Sequence, residues 1–127
     1  LAAVAPGMGT VALPPDAVSR DPAVVAAYQA DPLGTVGKVP ARTAHELFSV
    51  LPGYLEGAPR MKVPVLIQHG EADSLVPLAG AQPTIEAIGA SDKTVITYPG
   101  LFHEIYNEPE KDRVIGDLTS WLEAHPA

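Results

Sequence analysis

The sequence predicts an α/β fold in which parallel strands are flanked by helices. From residue 61 onward, short apolar runs rich in branched residues alternate with stretches of helical periodicity. The order strand, helix, strand, helix is typical of a parallel sheet with right-handed crossovers. Residues 1–60 are instead rich in Ala, Pro and Gly and contain no convincing strand. We therefore expect a helical segment over residues 1–60 and part of an α/β core over residues 61–127.

Two helices are predicted in the first segment. Asp21 and Pro22 form the N-cap and first position of one helix. This helix should stop before Pro32, because a residue that precedes proline is driven out of the α region. A second helix is predicted to start near Pro40, and Pro52 is expected to end or kink it. Its apolar stripe consists of Leu47, Phe48, Val50, Leu51, Tyr54 and Leu55.

Two strands are predicted in the second segment, at Pro64–Gln68 and Thr94–Tyr98, and each is followed by a helix. The helices are expected at Leu78–Ile88 and Lys111–Ala124. The first strand is a continuous apolar run, which predicts burial on both faces. The last helix should bury one wide apolar face. That face consists of Val114, Ile115, Leu118, Trp121 and Leu122.

Charge and composition exclude several function classes. The chain has 8 Lys and Arg against 15 Asp and Glu, a net charge of −7 and no basic run, so nucleic acid is not an expected partner. Cysteine is absent, and the four histidines show no i, i+4 pair, so neither disulfides nor a metal site is expected. The apolar runs are shorter than the roughly 20 residues of a membrane helix. We expect a soluble protein, cytoplasmic or peripherally associated with a membrane.

Two ionisable residues follow the predicted strands at a separation of 30 residues. Asp73 ends the stretch VPVLIQHGEAD, and His103 lies in YPGLFHE. Because functional loops lie at the carboxyl ends of parallel strands, the two side chains are expected to lie close together. An aspartate followed later in the chain by a histidine supplies the acid and base of one type of hydrolytic triad. No G-x-S-x-G motif occurs, so the nucleophile is expected to be missing.

Structural alternatives exist for these positions. Asp73 could instead cap the turn before the next helix, and His103 could have a core or surface role. Four apolar residues surround the two loops: Leu75, Val76, Leu101 and Phe102. We predict that they line a substrate pocket, with packing in the core as the alternative.

Four longer phrases extend this pattern beyond the Asp–His pair. HGEADSLVP resembles the acid loop of α/β-hydrolases, and PGLFHE resembles their histidine loop, from which the resemblance continues through IYNEPE. SRDP and YQADPL resemble cap-region phrases of bacterial monoacylglycerol lipases, the serine hydrolases that cleave a fatty acyl chain from glycerol. The resemblance covers nearly the whole chain and is weakest in residues 1–18.

The resemblance implies a fold and an activity. The fold is the C-terminal part of an α/β-hydrolase with an N-terminal helical cap. The activity is that of a monoacylglycerol lipase or a related carboxylesterase, which needs no metal or organic cofactor. The family's catalytic acid corresponds to Asp73 and its catalytic base to His103.

The resemblance also predicts what lies outside the chain. The family's serine elbow and oxyanion-hole segment precede the cap and have no counterpart here, and the chain begins at Leu1 without an initiator Met. We therefore expect a fragment that is inactive alone, with targeting information upstream. The expected partners are the N-terminal half of the same hydrolase, a lipid or ester substrate, and a membrane surface touched by the cap. A free strand edge would also favour self-association.

Two alternatives to ester hydrolysis stay open. A peptidase, or a dehalogenase with an aspartate nucleophile, would have similar acid and histidine loops, and the residue at the missing elbow decides between them. A non-catalytic binding domain could also retain this half of the fold. Labelling of the intact protein by a fluorophosphonate probe separates that case, because a binding module should not react.

Overall fold

The computed structural model describes residues 2–34 and 37–126, so Leu1 and Ala127, the outer ends of the two predicted segments, lie outside the described residues. The helices in the described ranges are α1 (Pro22–Ala30), α2 (Ala41–Ser49), α3 (Leu51–Gly57), α4 (Leu78–Ala87) and α5 (Lys111–Ala124). The strands in the same ranges are β1 (Gly9–Ala12), β2 (Lys38–Pro40), β3 (Val65–Gly70) and β4 (Lys93–Tyr98). Short 3₁₀ turns occur at Pro15–Ala17, Ala58–Arg60 and Ile105–Asn107.

The expectation that the first segment contains no strand is wrong. β1 and β2 form an antiparallel pair in which Gly9 lies opposite Pro40 and Ala12 opposite Lys38. The Thr10 hydroxyl donates to the carbonyl of Val39 at 2.7 Å and adds to this pairing. Strands of four and three residues are too short to show a period of two, so the local sequence does not reveal them.

The helices of the first segment begin and end near their predicted positions. The Asp21 side chain accepts a hydrogen bond from the backbone N–H of Ala23 at 2.8 Å, and Pro22 is the first residue of α1, which ends before Asp31. The predicted second helix is two helices, α2 and α3, joined at Val50. Pro52 lacks the N–H that would continue the hydrogen-bond ladder.

β3 and β4 form a parallel pair in which Val65 lies opposite Lys93 and Gly70 opposite Tyr98. α4 connects the two strands, and α5 follows β4, so the predicted order of elements is confirmed. Because the last residues of the two strands lie opposite each other, both strands end at the same edge of the sheet. The loops that carry Asp73 and His103 therefore begin side by side.

The core of this part consists of two small clusters. One contains Tyr98, Leu101, Ile105 and Val114, with Ile96 packed against it. The other contains Ala58, Ile88 and Ala90, with the partly buried Met61, Val65, Ile67 and Ala87. The first cluster packs β4 against α5, and the second packs β3 against the end of α4 and the 3₁₀ turn at Ala58–Arg60.

Two burial predictions need correction. β3 is half-buried from Val65 to His69 instead of buried on both faces, because within the described residues it pairs with β4 alone. The apolar face of α5 is also only partly covered. Val114 is fully buried, whereas Ile115 is 44% and Leu122 54% exposed.

Among the residues that the structure describes, no helix has both the length and the apolar character needed to cross a bilayer.

Candidate active site

Asp73 lies in the turn that follows β3, and its side chain is almost fully buried, with 3% exposed. Its Oδ1 atom accepts hydrogen bonds from the backbone N–H groups of Leu75 at 2.8 Å and Val76 at 2.9 Å. The aspartate thus caps its own turn, as the structural alternative for this position predicts. These two bonds fix the carboxylate and leave Oδ2 for another donor.

His103 supplies that donor from the loop after β4. Its Nδ1 atom lies 2.8 Å from Oδ2 of Asp73, and 40% of the imidazole is exposed. An ionised carboxylate only accepts hydrogen bonds, so the proton of the neutral ring belongs on Nδ1. No residue in the described ranges hydrogen-bonds to Nε2. This nitrogen can therefore accept a proton from another group.

The environment of Asp73 keeps its carboxyl group ionised. Burial by itself raises its pKa, because it removes water from the charged form. Hydrogen bonds from the N–H groups of Val76 and Leu75, together with the hydrogen bond and charge of His103, outweigh burial. The net pKa of Asp73 lies below its usual value of 3.8. At neutral pH the side chain is a carboxylate facing an imidazole.

The two loops approach each other so closely that one position requires glycine. A Cβ atom added at Gly70 would collide with the backbone carbonyl oxygens of Leu101 and Phe102. The N–H of Ala72 donates to the Leu101 carbonyl at 3.0 Å. Gly100 turns the second loop with a φ of +78°, in the left-handed region. Backbone contacts, and not the Asp–His hydrogen bond alone, hold Asp73 and His103 together.

A cavity of about 420 Å³ lies beside the pair. Asp73 and His103 line it, with Val76 and His69 from the acid side and Tyr106 from the histidine side. The Tyr106 hydroxyl donates to Oε1 of Gln68, which also lines the cavity, at 2.6 Å. The space can hold part of a small molecule next to the imidazole.

The four apolar residues predicted to line a substrate pocket lie in different environments. Val76 lines the cavity and is 47% exposed. Leu75 is half-buried in the acid loop. Leu101 is 4% exposed and belongs to the core cluster with Tyr98, and Phe102 lines a separate groove beside α1. The structure does not bring the four together, and their contact with a substrate stays a prediction.

Glu108 is a site-adjacent residue that the sequence analysis did not identify. Its side chain is fully buried and forms an ion pair with Arg20, with Nε and Oε2 2.7 Å apart. This hydrogen bond is the largest of the contributions that raise the pKa of the Arg20 guanidinium. Both residues lie inside phrases that carry the family resemblance, SRDP and YNEPE, but a lone glutamate in a loop gives no periodic signal of burial.

Comparison with known protein families identifies the family to which this chain belongs. A family model described as "Serine aminopeptidase, S33" matches residues 1–110. The chain belongs to this α/β-hydrolase family. The predicted α/β-hydrolase fold is confirmed by this match and by the solved structures that the chain resembles.

The resemblance of this hydrolase chain to monoacylglycerol lipases is also confirmed. It is 42% identical over 125 residues to the monoacylglycerol lipase of Mycolicibacterium smegmatis, which corresponds to 98% of this chain and 45% of that relative. It is 28% identical over 121 residues to the monoglyceride lipase of Mus musculus, covering 94% of this chain and 40% of that protein. The chain therefore spans less than half the length of these relatives.

The solved structures agree with the sequence relatives. The crystal structure of the Paleococcus ferrophilus monoacylglycerol lipase superimposes on 98% of this hydrolase chain with a TM-score of 0.86 and 28% identity, and 49% of the lipase is covered. A monoglyceride lipase variant from Saccharomyces cerevisiae, 23% identical, shows the same fold with a TM-score of 0.82 over 99% of this chain and 45% of its own.

Proposed function

We propose that this chain supplies the acid and base of a serine hydrolase that cleaves carboxylic esters, with monoacylglycerol as the substrate. The 2.8 Å contact between Asp73 Oδ2 and His103 Nδ1 carries the proposal. It places an ionised carboxylate against an imidazole whose other nitrogen is available, at the edge of a parallel sheet. The similarity to the lipase of Mycolicibacterium smegmatis supports the choice of ester substrate.

In the proposed reaction, His103 acts as the general base and then as the general acid. Its Nε2 takes the proton of a serine hydroxyl, and the serine oxygen attacks the ester carbonyl to form a tetrahedral oxyanion. The intermediate collapses as the glycerol oxygen leaves with the proton held on Nε2. A water molecule, deprotonated by the same nitrogen, then attacks the acyl-enzyme, and the fatty acid is released as the bond to the serine oxygen breaks and that oxygen takes back the proton from Nε2. Asp73 keeps the Nδ1 proton in place and stabilises the imidazolium.

The serine and the oxyanion hole are proposed to come from the N-terminal half of the same hydrolase. The chain contains no G-x-S-x-G motif, and no serine or threonine in the described residues hydrogen-bonds to His103. Within those residues, β3 and β4 each pair only with the other. This arrangement leaves one unpaired edge on each strand. We propose that the N-terminal half adds its strands at one of these two edges.

The cap helices are proposed to contact the lipid aggregate that holds the substrate. Large apolar side chains are exposed along α2 and α3, with exposed fractions from 43% to 60%: Leu47, Phe48, Val50, Leu51, Tyr54 and Leu55. Such a concentration of apolar side chains on one short stretch is typical of a surface that binds a partner or a lipid interface.

Peptide hydrolysis is the second candidate function, because the matching family model is described as a serine aminopeptidase. The same acid and base would serve an amide bond through the same acyl-enzyme. The two candidates differ in the leaving group, which is an alcohol for the ester and an amine for the peptide. Activity on both substrate classes separates them directly.

The proposed function is tested in the complete hydrolase that contains these residues. We expect turnover of monoacylglycerols, absence of comparable aminopeptidase activity, and labelling of one serine by a fluorophosphonate probe. His103→Ala should lower kcat by about 10⁴-fold or more with the protein still folded. An active His103→Ala variant would refute the role of His103, and a folded wild-type protein that does not label would support a binding domain instead.

A further inference from the structure

We propose that Glu108 is a positioning residue that holds the catalytic base in register, and that Arg20 in the first segment is its charged partner. The inference rests on the proposed function and adds to it. It connects the segment before α1 to the loop that carries His103, through side chains 88 residues apart in the sequence.

Both carboxylate oxygens of Glu108 accept hydrogen bonds. Oε1 accepts hydrogen bonds from the backbone N–H of Phe102 at 3.2 Å and from that of Arg20 at 3.0 Å. Oε2 accepts from Arg20 Nε at 2.7 Å. The side chain is fully buried, and each of its oxygens has a donor. A buried charge that is this fully satisfied fixes the groups around it.

One of these donors lies beside the proposed base, because Phe102 immediately precedes His103. On the other side of the histidine, the N–H of Glu104 donates to the carbonyl of Val18 at 2.8 Å. The backbone is therefore fixed just before and just after the base. The Glu104 bond reaches Val18 directly, and the Phe102 bond reaches Arg20 through the Glu108 carboxylate. The Ser19 hydroxyl adds a third connection by donating to the Asn107 carbonyl at 3.0 Å.

This arrangement acts on catalysis without touching the substrate. His103 is 40% exposed, and Asp73 holds only its Nδ1 atom. The direction of Nε2 then depends on where the backbone of residues 102–104 lies. A displacement of about 1 Å can cost a proton transfer about 100-fold in rate. Loss of the Glu108 contacts should therefore lower kcat while leaving substrate binding nearly unchanged.

The test compares variants of the complete hydrolase at equal concentrations of fluorophosphonate-reactive sites, well below their unfolding temperatures. Glu108→Ala should lower kcat about 10- to 100-fold with KM changed less than threefold. Glu108→Gln retains one oxygen that can accept from Phe102 but loses the ion pair, so its kcat should lie between those of Glu108→Ala and wild type. Glu110→Gln is the matched control, because Glu110 also pairs with Arg20 but is half-exposed and has no contact with the Phe102 amide. Its kcat should stay within twofold of wild type.

A folded Glu108→Ala variant with kcat within threefold of wild type would overturn the positioning role. The role would also be overturned if kcat/KM fell only because KM rose, or if the rate fell only because fewer sites reacted with the fluorophosphonate probe. If Glu108→Ala does not fold, Glu108→Gln decides: a fall in kcat of more than twofold at constant KM supports the proposal, and a smaller change overturns it. Failure of the function itself is seen separately, as a wild-type hydrolase that does not turn over esters or does not depend on His103.

Discussion

The carboxylate of Asp73 and the imidazole of His103 meet at 2.8 Å, with 3% of the aspartate side chain and 40% of the histidine side chain exposed. The pair thus has one buried member, fixed by two backbone N–H groups, and one member open to a cavity. This division suits an acid that only orients and a base that must meet a substrate.

Replacing Asp73 by Asn in the complete hydrolase should lower kcat by about 10⁴-fold, because an amide does not stabilise the imidazolium and can hold the wrong tautomer of His103. Steady-state ester hydrolysis measures the effect. Glu71→Gln is the control, since Glu71 is exposed and accepts a hydrogen bond only from the Thr97 hydroxyl among its described side-chain contacts. Similar kcat values for Asp73→Asn and Glu71→Gln would contradict the role of Asp73.

Asp73 should also make the folded chain sensitive to acid. Its pKa in the folded state lies below the usual 3.8, so its carboxylate stabilises the fold above about pH 4 and this contribution is lost as the pH falls through the lower, folded-state pKa. Denaturant unfolding between pH 7 and pH 3 measures the loss. In a plot of the free energy of unfolding against pH, Asp73→Asn should reduce the slope over this range. Equal slopes for the variant and wild type would show that protonation of Asp73 is not linked to folding.

Gly70→Ala should destabilise the protein by about 2–4 kcal/mol, because the added methyl group collides with the carbonyl oxygens of Leu101 and Phe102. Gly80→Ala, within α4, is the matched control. Its Cβ meets nothing within 4 Å, and helix propensity favours Ala by about 0.5–1 kcal/mol. The midpoint temperature of thermal unfolding should fall for Gly70→Ala and rise for Gly80→Ala. A Gly70→Ala protein as stable as wild type would mean that the two loops can separate without cost.

The double variant Phe48→Ser/Leu51→Ser should reduce binding to phosphatidylcholine vesicles about 30-fold, because each exposed apolar side chain inserted into the interface contributes on the order of 1 kcal/mol. Flotation assays measure the bound fraction. Val63→Ser is the control, since Val63 is 64% exposed but lies outside α2 and α3. Equal binding by all three proteins would exclude the cap helices as the contact surface.

The 127-residue chain on its own should self-associate through the free edges of its two-stranded parallel sheet. Val95→Lys places a charge on β4 and should shift the chain toward monomer in size-exclusion chromatography. Ile115→Lys is the control, because both residues are 44% exposed but Ile115 lies on α5. A well-folded wild-type monomer at dilute and high concentration alike would contradict the prediction.

Several structural elements of this protein could be predicted from residues that lie close together in the sequence. The capping of α1 by Asp21 and the break before Pro52 depend on residues a few positions apart, and the helix at Lys111–Ala124 appears at its predicted bounds. The phrases around Asp73 and His103 identified the acid and the base as candidates. The pairing of β1 with β2 was missed, because it depends on partners distant in the chain and on strands too short to show a pattern.

Sequence motifs indicate which side chains could act, and caps, prolines and apolar periods indicate where the chain turns, because these signals extend over a few residues. The burial of Asp73 beside an open His103, and the contacts of Glu108 with Arg20 and the Phe102 amide, are seen only in the folded chain. These contacts join residues that are far apart along the chain. Their free energy is gained only after the sheet and helices have brought the residues together, so no local pattern records it.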